Sequence, residues 1–335
     1  MIQLLIGSYS EGRPDGVRLV DFDPATGSLS LAAVLEGAPD ASFFAYDRGK
    51  RRLYVTDEMA GRVGAFALAA DARELTPLGY LPSEAELPCY LSLSPDRTHL
   101  ACANYGADLV SVFAIDAEGA LHTGPQILHG TQPASDGHAH WAQWSPEGDR
   151  LYAVDLGHNE VRSWNYEIAT GKLGAPHTAF AAPPKAGPRH LAFHRDGRFA
   201  YLFTEYSNTL TALEREADGS LRELHTLPSV PADFGEISYG AHIEISTDGE
   251  VAYVSNRGHN SIVSYRIADD GRLTPLQAIS CGGHWPRFFL LVGQHLIVAN
   301  QQSDSLVVFG VAADGTLNPT GKSLSLPTPV AILPL

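Results

Sequence analysis

The chain has 335 residues, 44% of them apolar, and carries 38 acidic against 23 basic residues for a formal charge of −15. Its 32 glycines and 22 prolines make up about 16% of the chain against a usual level of roughly 12%, which favours many turns over long helices. So acidic a surface repels phosphate backbones and excludes nucleic acid as a partner, while apolar stretches such as 4–6 and 288–292 fall far short of the roughly 18 residues of a membrane helix.

The first residues, Met1-Ile-Gln-Leu4, lack the basic segment and cleavage site of a secretory signal. Cys89, Cys102 and Cys281 form an odd, scattered set that suits neither a disulfide framework nor a four-thiolate zinc site. The expectation is a protein of the reducing cytoplasm that neither leaves the cell from this N-terminus nor spans a membrane.

From the N-terminus, residues 3–9, 17–22 and 29–35 read as strands, the last following the turn Gly27-Ser-Leu29. The next unit offers 53–57 and 63–68 before Arg73-Glu-Leu75, a copy without its glycine. Then come 91–96, 100–104 and 110–115 before Gly119-Ala-Leu121, and 142–147, 151–155 and 161–166 before Gly171-Lys-Leu173. Two further units place 191–196, 200–204 and 210–214 before Gly219-Ser-Leu221, and 243–248, 252–256 and 262–267 before Gly271-Arg-Leu273. The last has 286–290, 296–300 and 306–311 before Gly315-Thr-Leu317, and residues 329–333 resemble the first strand of one more unit. Successive turns lie 44 to 52 residues apart, and no segment holds a helical period over ten residues.

Seven units of four short antiparallel strands describe an all-β, seven-bladed β-propeller, a single domain over residues 1–335. The C-terminal strand would complete the blade begun by the N-terminal three. Two stacked β-sandwiches, the competing architecture, do not explain a repeat that wraps from the last residue to the first.

In a repeat protein, function shows where equivalent positions hold costly, non-equivalent residues. One such position opens the first strand: Cys89, His140, Arg189, Ala241 and Arg287. Another follows the polar end of the second strand: Glu58, Tyr105, Leu156, Glu205, Arg257 and Gln301. These strands are antiparallel neighbours, so both positions fall at the same end of a blade. The expected result is a cationic, histidine-rich opening of His140, Arg189, Glu205, Arg257 and Arg287, joined by His138, His190, His242 and His284. Arginine offers a planar fork of donors to a carboxylate or phosphate, and histidine titrates near neutrality as a general acid or base. A water deprotonated by His140 could attack a lactone carbonyl while an arginine stabilises the oxyanion.

Other polar residues read as structural. Asn104, Asp155, Asn256 and Asn300 cap strand ends or bond adjacent loops, His158 and His259 recur in similar turns, and His194 replaces the serine of the first-strand turn. Fourteen histidines include one pair at His-x₃-His spacing, His190 and His194, in a stretch read as a strand; His138-Ala-His140 is a weak metal signal, and no metal is assigned. There is no Gly-x-Ser-x-Gly nucleophile motif.

The segments Gly187-Pro-Arg-His-Leu-Ala-Phe-His194, Thr204-Glu-Tyr-Ser-Asn208, Ala252-Tyr-Val-Ser-Asn-Arg-Gly-His259, Trp285-Pro-Arg287 and Ala299-Asn-Gln-Gln-Ser-Asp304 resemble the seven-bladed propeller lactonase family over essentially the whole chain. That family includes bacterial 6-phosphogluconolactonases and fungal carboxymuconate-lactonizing enzymes. The resemblance implies a site on His140, Arg189, Glu205 and Arg257 and no organic cofactor; Thr204 stands where relatives commonly have Asn, a departure beside the site. It implies a cytoplasmic hydrolase of carbohydrate metabolism that opens 6-phospho-D-glucono-1,5-lactone. There Arg189 and Arg257 would hold the anionic group, with Arg287, His138, His190 and His242 assisting, and Glu205 would orient the site. A cyclase acting on a muconate-type dicarboxylate is the enzymatic alternative. A non-catalytic scaffold is another, although no Trp-Asp completes the Gly-His…Trp-Asp signature of WD40 scaffolds.

Overall fold

A computed structural model describes residues 1–130 and 136–335. Its described residues form seven antiparallel sheets, the blades of a seven-bladed propeller. We number the blades in chain order: blade 1 spans residues 41–82, blade 2 88–128, blade 3 139–181, blade 4 188–228, blade 5 239–280 and blade 6 286–325. Blade 7 joins the C-terminal strand Pro329–Pro334 to Ile2–Ser8, Val17–Asp23 and Ser28–Leu35, the expected closure by both ends of the chain. No helix among the described residues is long and apolar enough to cross a membrane, and the 3₁₀ turn Gln301–Ser303 is short.

Blade 3 departs from four strands. Its outer strand breaks into Lys172–Leu173 and His177–Ala181, both paired with Glu160–Glu167. Gly174 and Pro176 lie in the break, one flexible and the other without a backbone donor.

By packing, the chain divides into two compact units. The first holds Met1–Ile6, Val20–Leu31 and Pro183–Pro334; the second holds Gly7–Leu19, Ala32–Ala182 and Leu335. In the first unit the initial strands of blades 4, 5 and 6 and Pro329–Pro334 pack in succession; in the second, those of blades 1, 2 and 3 do.

Burial follows strand position. Second strands such as His99–Asn104, Phe199–Thr204 and Val251–Arg257 are buried on both faces, whereas outer strands such as Leu75–Pro82 and Leu317–Ser325 are largely exposed. The apolar clusters lie between successive blades: Tyr201, Phe203, Val254 and Tyr265 pack blade 4 on blade 5, and Ala103, Trp144, Leu151 and Trp164 pack blade 2 on blade 3. Each fully buried side chain of this size contributes roughly 1.5–3 kcal/mol.

The recurring turn has a structural purpose. Its glycine sits in the left-handed region, φ 79 at Gly271 and φ 84 at Gly315, and its carbonyl accepts a hydrogen bond from a tyrosine of the preceding blade's second strand. Tyr54 donates to Gly119 at 3.0 Å, Tyr201 to Gly271 at 3.1 Å and Tyr253 to Gly315 at 2.8 Å. Burial pushes all three phenols well up, Tyr253 to about 12, so they remain donors. The leucine two residues on buries in the same seam, as Leu273 and Leu317 do. Blade 1 keeps that leucine, Leu75, but its left-handed corner passes to Ala72 at φ 59.

Tyr201→Phe strands a buried carbonyl and should cost about 1–3 kcal/mol, read as a lower midpoint in denaturant unfolding. An unchanged midpoint would show that this latch contributes nothing.

Candidate functional site

The two sequence positions meet because each first strand opens with an irregularity. Pairing shifts register between Pro88 and Tyr90, Ala139 and Trp141, Pro188 and His190, and Pro286 and Phe288, so Cys89, His140, Arg189 and Arg287 each occupy the extra residue of a bulge. A bulge bends the strand and re-aims one side chain. The residue after the second strand then donates its N–H to the residue preceding the first: Tyr105 to Leu87 at 2.8 Å, Leu156 to His138 at 2.9 Å, Glu205 to Gly187 at 2.6 Å and Gln301 to Trp285 at 3.0 Å.

In the first unit these positions build an arginine–carboxylate cluster. Arg189, 2% exposed, donates from Nε to Glu205 Oε2 at 3.1 Å and from Nη1 to the Ala241 carbonyl. Arg257 reaches the same Oε2 at 2.8 Å and donates to the Gly240 carbonyl at 2.8 Å. Two guanidiniums on one carboxylate oxygen concentrate positive charge, and an anionic substrate group is their complement. Tyr239 and Trp285 flank Arg257.

His190 and His242 join this cluster, but as neutral groups. A guanidinium only donates, so His190 Nε2, 3.1 Å from Arg189 Nη1, is an acceptor. Its proton therefore sits on Nδ1 and is donated to His242 Nδ1 at 3.1 Å. Burial and the Arg189 charge hold His242 down to about 3, and its ring stacks on Phe288 at 3.9 Å. This corrects the expected cationic, histidine-rich opening: the positive charge here belongs to arginine, and these imidazoles orient Arg189. His284 is exposed and stacks on Trp285 at 6.4 Å, and Arg287 is half-buried at its bulge.

The second unit holds His138 and His140. His140, 5% exposed, meets the edge of Tyr105 at 5.4 Å and has Nδ1 3.8 Å from the Cys89 sulfur. His138 donates from Nδ1 to the Tyr105 carbonyl at 2.7 Å and stacks on its ring at 4.7 Å, which leaves Nε2 as the basic nitrogen when the ring is neutral. Tyr9 donates to Glu58 at 3.0 Å.

Beneath His138 lies a charge network that the sequence reading missed. Arg162, 3% exposed, pairs with Asp108, with Asp155 at 3.3 Å and with Glu160 at 2.5 Å, and donates to His158 Nδ1 at 2.8 Å. Asp155 also accepts the backbone N–H groups of His138 and His158, at 3.1 and 2.7 Å. Ligand atoms of Asp108, Asp155 and His158 lie within 4.8 Å of one another, metal-like spacing, but the guanidinium already supplies the cation among them. A signal was present: at the equivalent third-strand position blades 1, 2, 4, 5 and 6 hold Gly64, Ser111, Thr211, Val263 and Val307. The remaining structural readings hold. Asn104 donates to the Leu109 carbonyl, Asn256 to Ser229 and Asn300 to Cys281, and His194 meets the Gly249 carbonyl and Asp196.

Glu244, two residues beyond His242, accepts the Leu291 N–H at 2.9 Å, and burial pushes its carboxyl up to about 8. Between its ordinary value and 8 the folded chain keeps a proton that the unfolded chain releases, so this group's contribution falls as pH rises through that window. Glu244→Gln keeps an acceptor for Leu291; it should flatten that decline and raise stability at pH 8 by on the order of 2 kcal/mol, measured as unfolding midpoint against pH. A pH profile identical to the native one would contradict it.

Known proteins share this fold. The family model described as "Lactonase, 7-bladed beta-propeller" matches residues 3–334. A 6-phosphogluconolactonase of Bacillus subtilis (strain 168) is 30% identical over 342 residues, covering 98% of this chain and 96% of that protein. Among solved structures, a periplasmic gluconolactonase of Pseudomonas aeruginosa superposes with a TM-score of 0.91 at 30% identity, covering 100% of this chain and 99% of that one. A protein from Lactobacillus plantarum does so with a TM-score of 0.91 at 27% identity, covering 100% and 99%. With a model match over nearly its full length and blades that close as that family's name describes, the chain belongs to the seven-bladed β-propeller lactonase family.

Proposed function

We propose that this protein hydrolyses a sugar-acid lactone, with 6-phospho-D-glucono-1,5-lactone as substrate. The observation behind this reading is the convergence of Arg189 and Arg257 on Glu205, a buried cationic cluster suited to a small anion. Relatives named as a 6-phosphogluconolactonase and a gluconolactonase support the substrate class. Three free cysteines, all buried thiols, are in keeping with a cytoplasmic enzyme.

In this reading Arg189 and Arg257 bind the anionic group, assisted by Arg287, and Glu205 holds both guanidiniums in place. His190 and His242 fix Arg189 through the hydrogen-bond chain. His140 acts as general base: it takes a proton from water as the oxygen attacks the lactone carbonyl. Arginine charge stabilises the tetrahedral oxyanion. The ring C–O bond then breaks, the ring oxygen takes up the proton, and the product is the open-chain hydroxy acid. His138, through its basic Nε2, accepts a substrate hydroxyl.

Purified protein should hydrolyse 6-phosphogluconolactone above the spontaneous rate, with muconolactones as the comparison. His140→Ala should lower kcat by roughly 10²–10⁴-fold, the usual worth of a general base, without changing the melting temperature by more than a few degrees. Equal background rates for native and His140→Ala protein would remove the enzymatic reading. Arg257→Lys keeps the charge but loses the planar fork, and should raise KM about tenfold or more. An unchanged KM would detach Arg257 from binding.

A further inference from the structure

Beside the arginine–carboxylate cluster, the first unit presents an aromatic surface with no part in the hydrolytic steps above. The Arg257 guanidinium carbon lies 5.8 Å from the centre of the Tyr239 ring and 5.6 Å from that of Trp285. The two rings are 6.1 Å apart at 63°, and Tyr206, 45% exposed, continues the row 6.3 Å beyond Tyr239. Tyr239 and Trp285 are each half-buried, whereas Trp141, Trp144 and Trp164 are fully buried.

Position explains how the row arises. Trp285 immediately precedes the opening residue of a first strand, as Asp40, Leu87, Gly187 and Thr328 do in other blades, and all five adopt positive φ. At Trp285 φ is 66, with its N–H bonded to Asn260 Oδ1 at 2.8 Å and its carbonyl to the Gln301 N–H. For a bulky side chain this conformation is strained, and in blade 4 Gly187 adopts it without that strain. The blade entry thus holds the backbone and leaves the side chain as the variable. Around Arg257 that side chain is aromatic, and Tyr239 supplies a second ring from blade 5.

We infer that Tyr239 and Trp285 form a stacking wall for the closed ring of the substrate, so that the site selects a pyranose-shaped lactone over its open-chain acid. The inference rests on the lactonase reading for the location of the site. A six-membered lactone presents a face of C–H groups that an aromatic ring covers well, while its anionic group reaches the arginines. Ring opening dissolves that face, so the product loses the wall and keeps only the charge contacts. Weaker binding of product than of substrate follows directly.

The test compares 6-phospho-D-glucono-1,5-lactam, whose ring cannot hydrolyse, with 6-phosphogluconate, which carries the same phosphate on an open chain. Binding is read by calorimetry and by tryptophan emission, in which Trp285 is the one half-exposed indole. Lactam should shift the emission of native protein, and the shift should vanish in Trp285→Phe. Trp285→Ala should weaken lactam binding tenfold or more with little change for 6-phosphogluconate, and Trp285→Phe should restore lactam affinity to within about threefold. Tyr239→Ala, a second probe of the wall, should act in the same direction. Lactam affinity unchanged by Trp285→Ala in a protein that melts like the native one would overturn the wall, as would equal losses for both ligands. Hydrolysis assayed alongside separates the two readings. Trp285-dependent lactam binding without hydrolysis sinks the enzymatic reading alone, and hydrolysis with an unchanged KM in Trp285→Ala sinks the wall alone.

Discussion

The opening of each first strand is the constraint on which the rest depends. One extra residue bulges against the second strand, and the residue after that strand returns an N–H to the backbone just ahead of the bulge. That hydrogen bond pins the end of one strand to the start of its neighbour, so side chains about sixteen residues apart, as Arg189 and Glu205 are, meet at 3.1 Å. Without the bulge, strict alternation would turn Arg189 toward the apolar seam, where a charge is expensive. The same device in blades 2, 3 and 6 presents Cys89, His140 and Arg287. One backbone solution thus serves several chemistries, and the side chain decides which.

Electrostatics in the first unit follow from what arginine cannot do. It accepts no hydrogen bond, so its contact with His190 dictates the tautomer of that ring and, through it, of His242. Burial beside Arg189 then keeps His242 unprotonated. The result is a rigid chain, Glu205 to Arg189 to His190 to His242 to Phe288, in which each member has a single orientation. Preorganisation of this kind is what stabilising a developing oxyanion requires, since donors that must reorient contribute little.

The second unit solves a different problem. Asp108, Asp155 and Glu160 are buried carboxylates, and one guanidinium, that of Arg162, satisfies all three. Truncating Arg162 would leave those charges without their shared counter-ion, which makes the network costly to break even though such pairs add little net stability. Its oxygens also accept backbone N–H groups on both sides of the blade 3 entry, at His138 and His158, and so hold the loop that delivers His138 and His140.

By itself the sequence determined the number of blades, their strands, their closure by both termini and the two positions whose backbones meet at a blade entry. Those features are local: a period of two, a glycine turn and a leucine two residues later recur wherever the chain builds a blade, and Tyr54, Tyr201 and Tyr253 use that turn as their acceptor. Charge state and contact were decided only in the tertiary structure. That His242 is neutral, that Arg162 takes the place a metal would want and that Tyr239 and Trp285 flank Arg257 depend on neighbours dozens of residues away and on how deeply each group is buried. A repeat pattern says where a side chain stands; desolvation and the groups packed around it say what that side chain is.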